Sequence, residues 1–229
     1  MKTIEIIDVL KKYPLFGPND LSKILNKNTA YLKVLVYRLR KQKRLYKIER
    51  GKYTVYNDPF IFASLISTPS YISLWSAFRY YNFTDQLPRD IFVMVPNSRK
   101  PLKFNDIKIN FIKIKNFFGF KKQRYMDFDI FLAEPEKAII DSLVTRKVPF
   151  NEVTKAIKDE GVNKEKLAEY AIMTKNKSLI KRIGFLLEEN GFKFKNLEEF
   201  IDNNYIPLDF SLRKKGIKNN KWKIVDNRK

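Results

Sequence analysis

Apolar residues recur at helical spacing from the first positions of the chain. Ile6, Ile7, Leu10 and Tyr13 predict a helix with Thr3 as its N-cap, ended by Pro14 and Gly17-Pro18. Asn19 or Asp20 then caps a short second helix with Leu21, Ile24 and Leu25 on one face, and Asn26-Lys27-Asn28 reads as a tight turn. A third helix runs from about Thr29 to Gln42. Leu32, Leu35, Val36 and Leu39 form its inward stripe, and a turn of about 100° per residue carries Ala30, Lys33, Val34, Tyr37, Arg38 and Lys41 to the opposite side. Leu45 to Ile48 and Tyr53 to Tyr56 then read as two strands around the glycine-containing turn Glu49-Arg50-Gly51-Lys52.

Asn57-Asp58-Pro59 closes this block, and a new apolar pattern starts at Phe60, which sets a domain boundary near residue 60 and domains of 1–60 and 61–229. The stretch 70–81 reads as a buried helix, 91–95 and 109–114 as strands, and 119–132 as further strand pairing. From Pro135 the pattern turns helical, through 137–145, 153–159, 164–173, 179–189 and 197–203. The expected fold class is α+β: three helices and a hairpin, then a larger domain with a small sheet and a C-terminal helical bundle.

Composition narrows the chemistry. The 229 residues include 46 Lys and Arg, 25 Asp and Glu, and no His or Cys, for a formal charge of +21. Without His or Cys there is no Ser-His-Asp triad, thiol nucleophile, disulfide or Cys/His zinc site. The charge is uneven: residues 1–60 carry +9, 61–125 carry +8, 126–206 carry −2 and 207–229 carry +6. Such a bias fits nucleic acid ahead of an anionic membrane. No apolar run reaches the roughly 18 residues of a membrane span, and no basic amphipathic helix or lipidation signal is evident. Met1-Lys2-Thr3-Ile4-Glu5 opens an amphipathic pattern instead of a signal peptide, so a cytoplasmic protein is expected.

Three helices followed by a basic hairpin is the order of a winged helix-turn-helix, whose third helix enters the major groove while the hairpin follows the backbone. On that expectation Lys33, Arg38 and Lys41 neutralise phosphates or read guanine, and Asn28 and Thr29 stand at the helix N-terminus. Ala30 and Val34 meet thymine methyls, Tyr37 packs or touches DNA, and Arg50 and Lys52 add phosphate contacts from the hairpin. Arg89, Arg99, Lys100 and Lys103 make a possible second anionic-ligand surface, against the plainer reading of a solvated face. Asp127, Asp129, Glu134, Glu136 and Lys137 are superficially like a metal-dependent nuclease, but Pro135 occupies the place of the acid two positions before the lysine. No glycine-rich phosphate loop is present. The expectation is a binding protein and no enzyme, with no catalytic residue, metal or cofactor.

Four stretches in order carry a family resemblance: Ser70-Tyr71-Ile72-Ser73-Leu74-Trp75-Ser76-Ala77-Phe78 with Gln86-Leu87-Pro88-Arg89; Ala133-Glu134-Pro135-Glu136-Lys137-Ala138-Ile139-Ile140-Asp141; Leu208-Asp209-Phe210-Ser211-Leu212; and Asn219-Asn220-Lys221-Trp222. With the N-terminal block they resemble the AbiEi antitoxins of AbiE-type, type IV toxin-antitoxin systems over nearly the whole length. The resemblance implies a bifunctional protein. Its winged helix binds inverted repeats in the promoter of its own operon, and its larger domain counters a nucleotidyltransferase-like toxin, with or without a stable complex. Phe210, where many relatives have proline, and the lysine-rich tail depart from the pattern. The alternative is a stand-alone winged-helix regulator whose larger domain senses a ligand or protein partner.

Overall fold

A computed structural model describes residues 3–228; Met1 and Lys2, part of the amphipathic opening, lie outside the described residues. The fold is α+β, with small sheets and a run of C-terminal helices. The chain forms two compact units, one of residues up to 71 with 89–114 and 122–131, the other of 72–88, 115–121 and 132 onward.

The first unit begins with α1 (Thr3–Leu10), α2 (Pro18–Leu25) and α3 (Thr29–Lys41), followed by the antiparallel hairpin of β1 (Tyr46–Glu49) and β2 (Lys52–Thr54). Thr3 is itself helical, and α2 starts earlier than its asparagine and aspartate suggest. Pro18 supplies a preset φ at the first helical position, Gly17 is the N-cap, and Asp20 reaches back to accept the Gly17 N–H at 2.8 Å. Ile6, Leu10, Phe16, Leu21, Leu25, Leu32, Leu35, Leu39 and Leu45 close one hydrophobic core, against which Ile7, Val9, Ile24, Val36, Tyr53 and Val55 pack. Phe16 and Tyr53 exchange backbone hydrogen bonds of 3.0 and 2.9 Å, which fastens the α1–α2 connection to the hairpin.

The main sheet has strands β3 (Tyr71–Ile72), β4 (Ile91–Val95), β5 (Leu102–Phe104), β6 (Ile107–Lys113), β7 (Phe120–Tyr125) and β8 (Phe128–Ala133) in the order β5-β6-β4-β3-β8-β7. β4 and β6 run parallel, from Ile91 opposite Ile109 to Val95 opposite Lys113, and β5 returns antiparallel on β6. In the first unit, Phe104 receives the rings of Tyr46 and Phe62 edge-on, with centroids 5.9 and 5.0 Å away.

The second unit holds α4 (Trp75–Tyr80), α5 (Pro135–Thr145), α6 (Phe150–Lys158), α7 (Lys164–Met173) and α8 (Lys177–Glu189). The expected helix over 70–81 is divided. Tyr71 and Ile72 pair as strand, and Leu74 at φ 56° breaks the chain before α4. Residues 195–200 form a 3-10 helix, then a three-stranded sheet of β9 (Ile206–Pro207), β10 (Ile217–Asn219) and β11 (Ile224–Asp226) in the order β10-β11-β9. α5 is buried continuously from Glu136 to Leu143, the mark of a central helix. Arg182 on α8 donates to the carbonyls of Leu208 (3.0 Å) and Pro207 (2.9 Å) and so holds β9 and the segment after it in place.

Candidate nucleic-acid interface

α3 positions the principal candidates. Asn28 caps the helix, its side-chain oxygen accepting the Tyr31 N–H at 2.9 Å. Leu32, Leu35 and Leu39 are buried in the first unit's core, so the helix has one rotational setting. That setting leaves Thr29, Ala30, Lys33, Val34, Tyr37, Arg38 and Lys41 exposed. At about 100° per residue, Ala30, Val34, Tyr37 and Lys41 fall on one central line, with Lys33 and Arg40 on one flank and Tyr31 and Arg38 on the other. Val34 is 50 % and Tyr37 64 % exposed, a large apolar commitment to solvent for a helix already anchored by three leucines. No Asp or Glu occurs between Asp20 and Glu49, so the face is cationic throughout.

Two residues beyond the sequence-predicted set belong to this surface. Arg40 and Lys47 join Tyr37, Lys41, Leu45 and Tyr46 around an open depression of about 460 Å³ beside α3 and β1. Lys47 was legible as the outward residue between half-buried Tyr46 and buried Ile48 on an alternating strand. Arg40 was legible from its helical setting.

The hairpin divides its two candidates. Arg50 is exposed at the turn, beside Gly51, whose φ of 74° lets the chain reverse. Lys52 instead pairs with Glu49 at 2.9 Å and donates to the carbonyl of Ile66. Glu49 also accepts from Arg99, which lies over the Phe111 ring at 4.7 Å. Burial pushes the Glu49 carboxyl up, but the hydrogen bonds from Lys52 and Arg99 outweigh it and hold the group below its usual range. Lys52 and Arg99 are thus engaged within the unit in a way that Arg50 is not. Of the other possible anion-surface residues, Arg89, Lys100 and Lys103 are exposed. Lys103 lies opposite Lys108 on the β5–β6 pair, next to Asp106 in a second depression of about 340 Å³.

Three carboxylates of the nuclease-like string, Asp129, Glu134 and Glu136, have protein partners. Asp129 pairs with Lys122 at 2.7 Å, and in the second unit Glu134 accepts from Lys166 (2.8 Å) and Tyr170 (2.5 Å). Glu136 accepts the Asn163 N–H at 2.8 Å, and Lys137 donates to Asp141 at 2.5 Å. Among the described residues no three Asp or Glu side chains gather as a metal site, and no helix is long and apolar enough to cross a membrane. No protein-family model and no curated protein matches the chain.

Proposed function

We propose that the protein is a DNA-binding transcriptional repressor and antitoxin. Its first three helices and hairpin act as a winged helix-turn-helix on promoter DNA, with α3 in the major groove and Arg50 on the phosphate backbone. The observation that carries this reading is the solvent face of α3: a line of small, apolar and aromatic side chains that ends in Lys41 and is flanked on both sides by cations, on a helix whose other face is locked in the core. Lys and Arg supply counterion release, and the central line meets base edges. The antitoxin half rests on the resemblance of the ordered motifs in 70–89, 133–141 and 208–222 to AbiEi proteins, and makes the partner a nucleotidyltransferase-like toxin in the cytoplasm.

Fluorescence anisotropy with duplex DNA from the region upstream of its own gene tests the first half. Joint Lys33→Ala, Arg38→Ala and Arg50→Ala is expected to weaken binding at least tenfold and to lower the slope of log K against log salt by about two to three, at roughly 0.9 per phosphate contact. Unchanged affinity in that variant sinks the assigned surface. Co-expression of the full chain with the neighbouring toxin gene tests the second half, and continued growth arrest overturns it.

A further inference from the structure

Between Asp209 and Asp226 the chain carries six cations, Arg213, Lys214, Lys215, Lys218, Lys221 and Lys223, and no acid. The second unit neutralises one of them: Lys221 sits 2.9 Å from Glu188 and 3.1 Å from Glu198. Three others converge on a single aromatic residue. The ammonium groups of Lys218 and Lys223 lie 5.4 and 5.7 Å from the centre of the Tyr205 ring, and Lys214 donates to the Tyr205 carbonyl. Among the described residues, no carboxylate lies within 4 Å of any of these three ammonium groups.

Four buried or partly buried carboxylates elsewhere in the same unit do hold lysines, Lys137 on Asp141, Lys155 on Glu152, Lys166 on Glu134 and Lys181 on Asp202, and the three ammonium groups at Tyr205 have no such counterpart. Gathering three like charges at one residue opposes folding, and the ring quadrupole under Lys218 and Lys223 and the carbonyl under Lys214 offset only part of the repulsion. A polyanion would remove the remainder. Lys218 lies on β10, an edge strand, Lys214 on the segment that enters it and Lys223 on the turn into β11, so the patch is open to an extended ligand.

We propose that this C-terminal ribbon is a second binding site, for the phosphodiester backbone of nucleic acid, with Lys214, Lys218 and Lys223 around Tyr205 taking up phosphates independently of sequence. Lysine ammoniums are point charges that meet phosphates in many orientations, and a nucleic-acid backbone presents phosphates in a continuous row that an extended strand of lysines can follow. The side-chain oxygens of Asn219 and Asn220 accept the Trp222 N–H and the Tyr205 hydroxyl, which fixes the ribbon around the cluster.

The site is separable from α3, so it is tested in the full-length Lys33→Ala, Arg38→Ala, Arg50→Ala background with labelled 20-mers of arbitrary sequence as RNA, single-stranded DNA and duplex DNA. Adding Lys214→Gln, Lys218→Gln and Lys223→Asn, the last chosen because residue 223 has φ 53°, is expected to weaken binding at least tenfold. The salt slope is expected to fall by about two, at roughly 0.7–0.9 per phosphate. A control with the same charge loss elsewhere in the unit, Lys158→Gln, Lys193→Gln and Lys195→Gln, is expected to change affinity less than twofold. Preference among the three probes identifies the natural backbone. Equal losses in the two variants, no loss in either, or displacement by polyglutamate as effective per charge as by oligonucleotide overturns the site. Photocrosslinking of the ribbon-intact protein adds a readout free of folding effects. Crosslinks within 205–223 support the site, and their absence there with crosslinks elsewhere overturns it.

Discussion

The side chain of Asp141 is fully buried and accepts from two others, Lys137 at 2.5 Å and Ser73 at 2.8 Å. Lys137 is also fully buried, with its ammonium 4.7 Å from the centre of the Phe118 ring. A buried ion pair adds little over a well-packed apolar pair, but removing one member strands the other at a cost of about 3–5 kcal/mol. Asp141→Ala is therefore expected to lower the melting midpoint by roughly 10 °C, at about 2–4 °C per kcal/mol for a chain of this length. Ser73→Ala, which removes a neutral donor, is expected to cost only about 1–2 kcal/mol. Equal melting of Asp141→Ala and the parent protein contradicts the pair's structural role. Glu134 adds a pH dependence. Burial pushes its carboxyl up, but hydrogen bonds from Lys166 and Tyr170 outweigh this and hold it below its usual value of 4.5. A carboxyl held below its unfolded value binds its proton more weakly when folded. Its contribution is complete above about pH 5 and is lost as acid carries the solution through 4.5 and below the folded value. Thermal melts of parent and Glu134→Gln are expected to differ at pH 7 and to converge as acid carries the solution below the folded value.

The stripe of α3 allows a sharper test than charge removal. A thymine C5-methyl buried against Ala30 or Val34 contributes the transfer free energy of about one carbon, roughly 0.8 kcal/mol, or three- to fourfold in affinity. Replacing thymine by deoxyuridine in the upstream duplex deletes that methyl and leaves the phosphates unchanged. Parent protein is expected to lose three- to fourfold per contacted position, and Val34→Ala to lose part of this sensitivity while keeping its salt slope. Indifference of the parent protein to deoxyuridine would remove Ala30 and Val34 from base readout without touching the phosphate contacts. This face was legible in the sequence because 3.6-residue periodicity fixes both sides of a helix at once: assigning Leu32, Leu35 and Leu39 inward also assigns Val34 and Lys41 outward. Other elements hid for physical reasons. β9, β10 and β11 have two or three residues each, too few to show an alternating pattern. The break at Leu74 depends on a positive φ that residue type does not announce. The partner of Arg99 was illegible because it meets Glu49 across fifty positions of sequence, and periodicity says nothing of contacts at that range.

Across the whole chain, a charge of +21 links stability and binding through salt in opposite directions. The exposed lysines and arginines of α3 and of the C-terminal ribbon have few acids near them, so self-repulsion opposes the compact state at low ionic strength. Exposed ion pairs such as Lys11 with Asp8 and Lys122 with Asp129 contribute little, while partly buried Lys166 with Glu134 and fully buried Lys137 with Asp141 are screened less. Moving from 0.01 M to 0.15 M salt shortens the screening length from about 30 Å to about 8 Å, which quenches repulsion between distant surface charges and spares the close pairs. The melting midpoint is therefore expected to rise by a few degrees over this range, at about 2–4 °C per kcal/mol. Nucleic-acid affinity falls over the same range because it depends on counterion release. Circular-dichroism melts and anisotropy titrations in identical buffers measure both. A midpoint that falls with salt would mean that surface ion pairs, such as Arg228 with Glu189, outweigh the repulsion. Loss of nucleic-acid binding at high salt would then no longer be separable from loosening of the fold. A rising midpoint makes that loss a property of the interface alone.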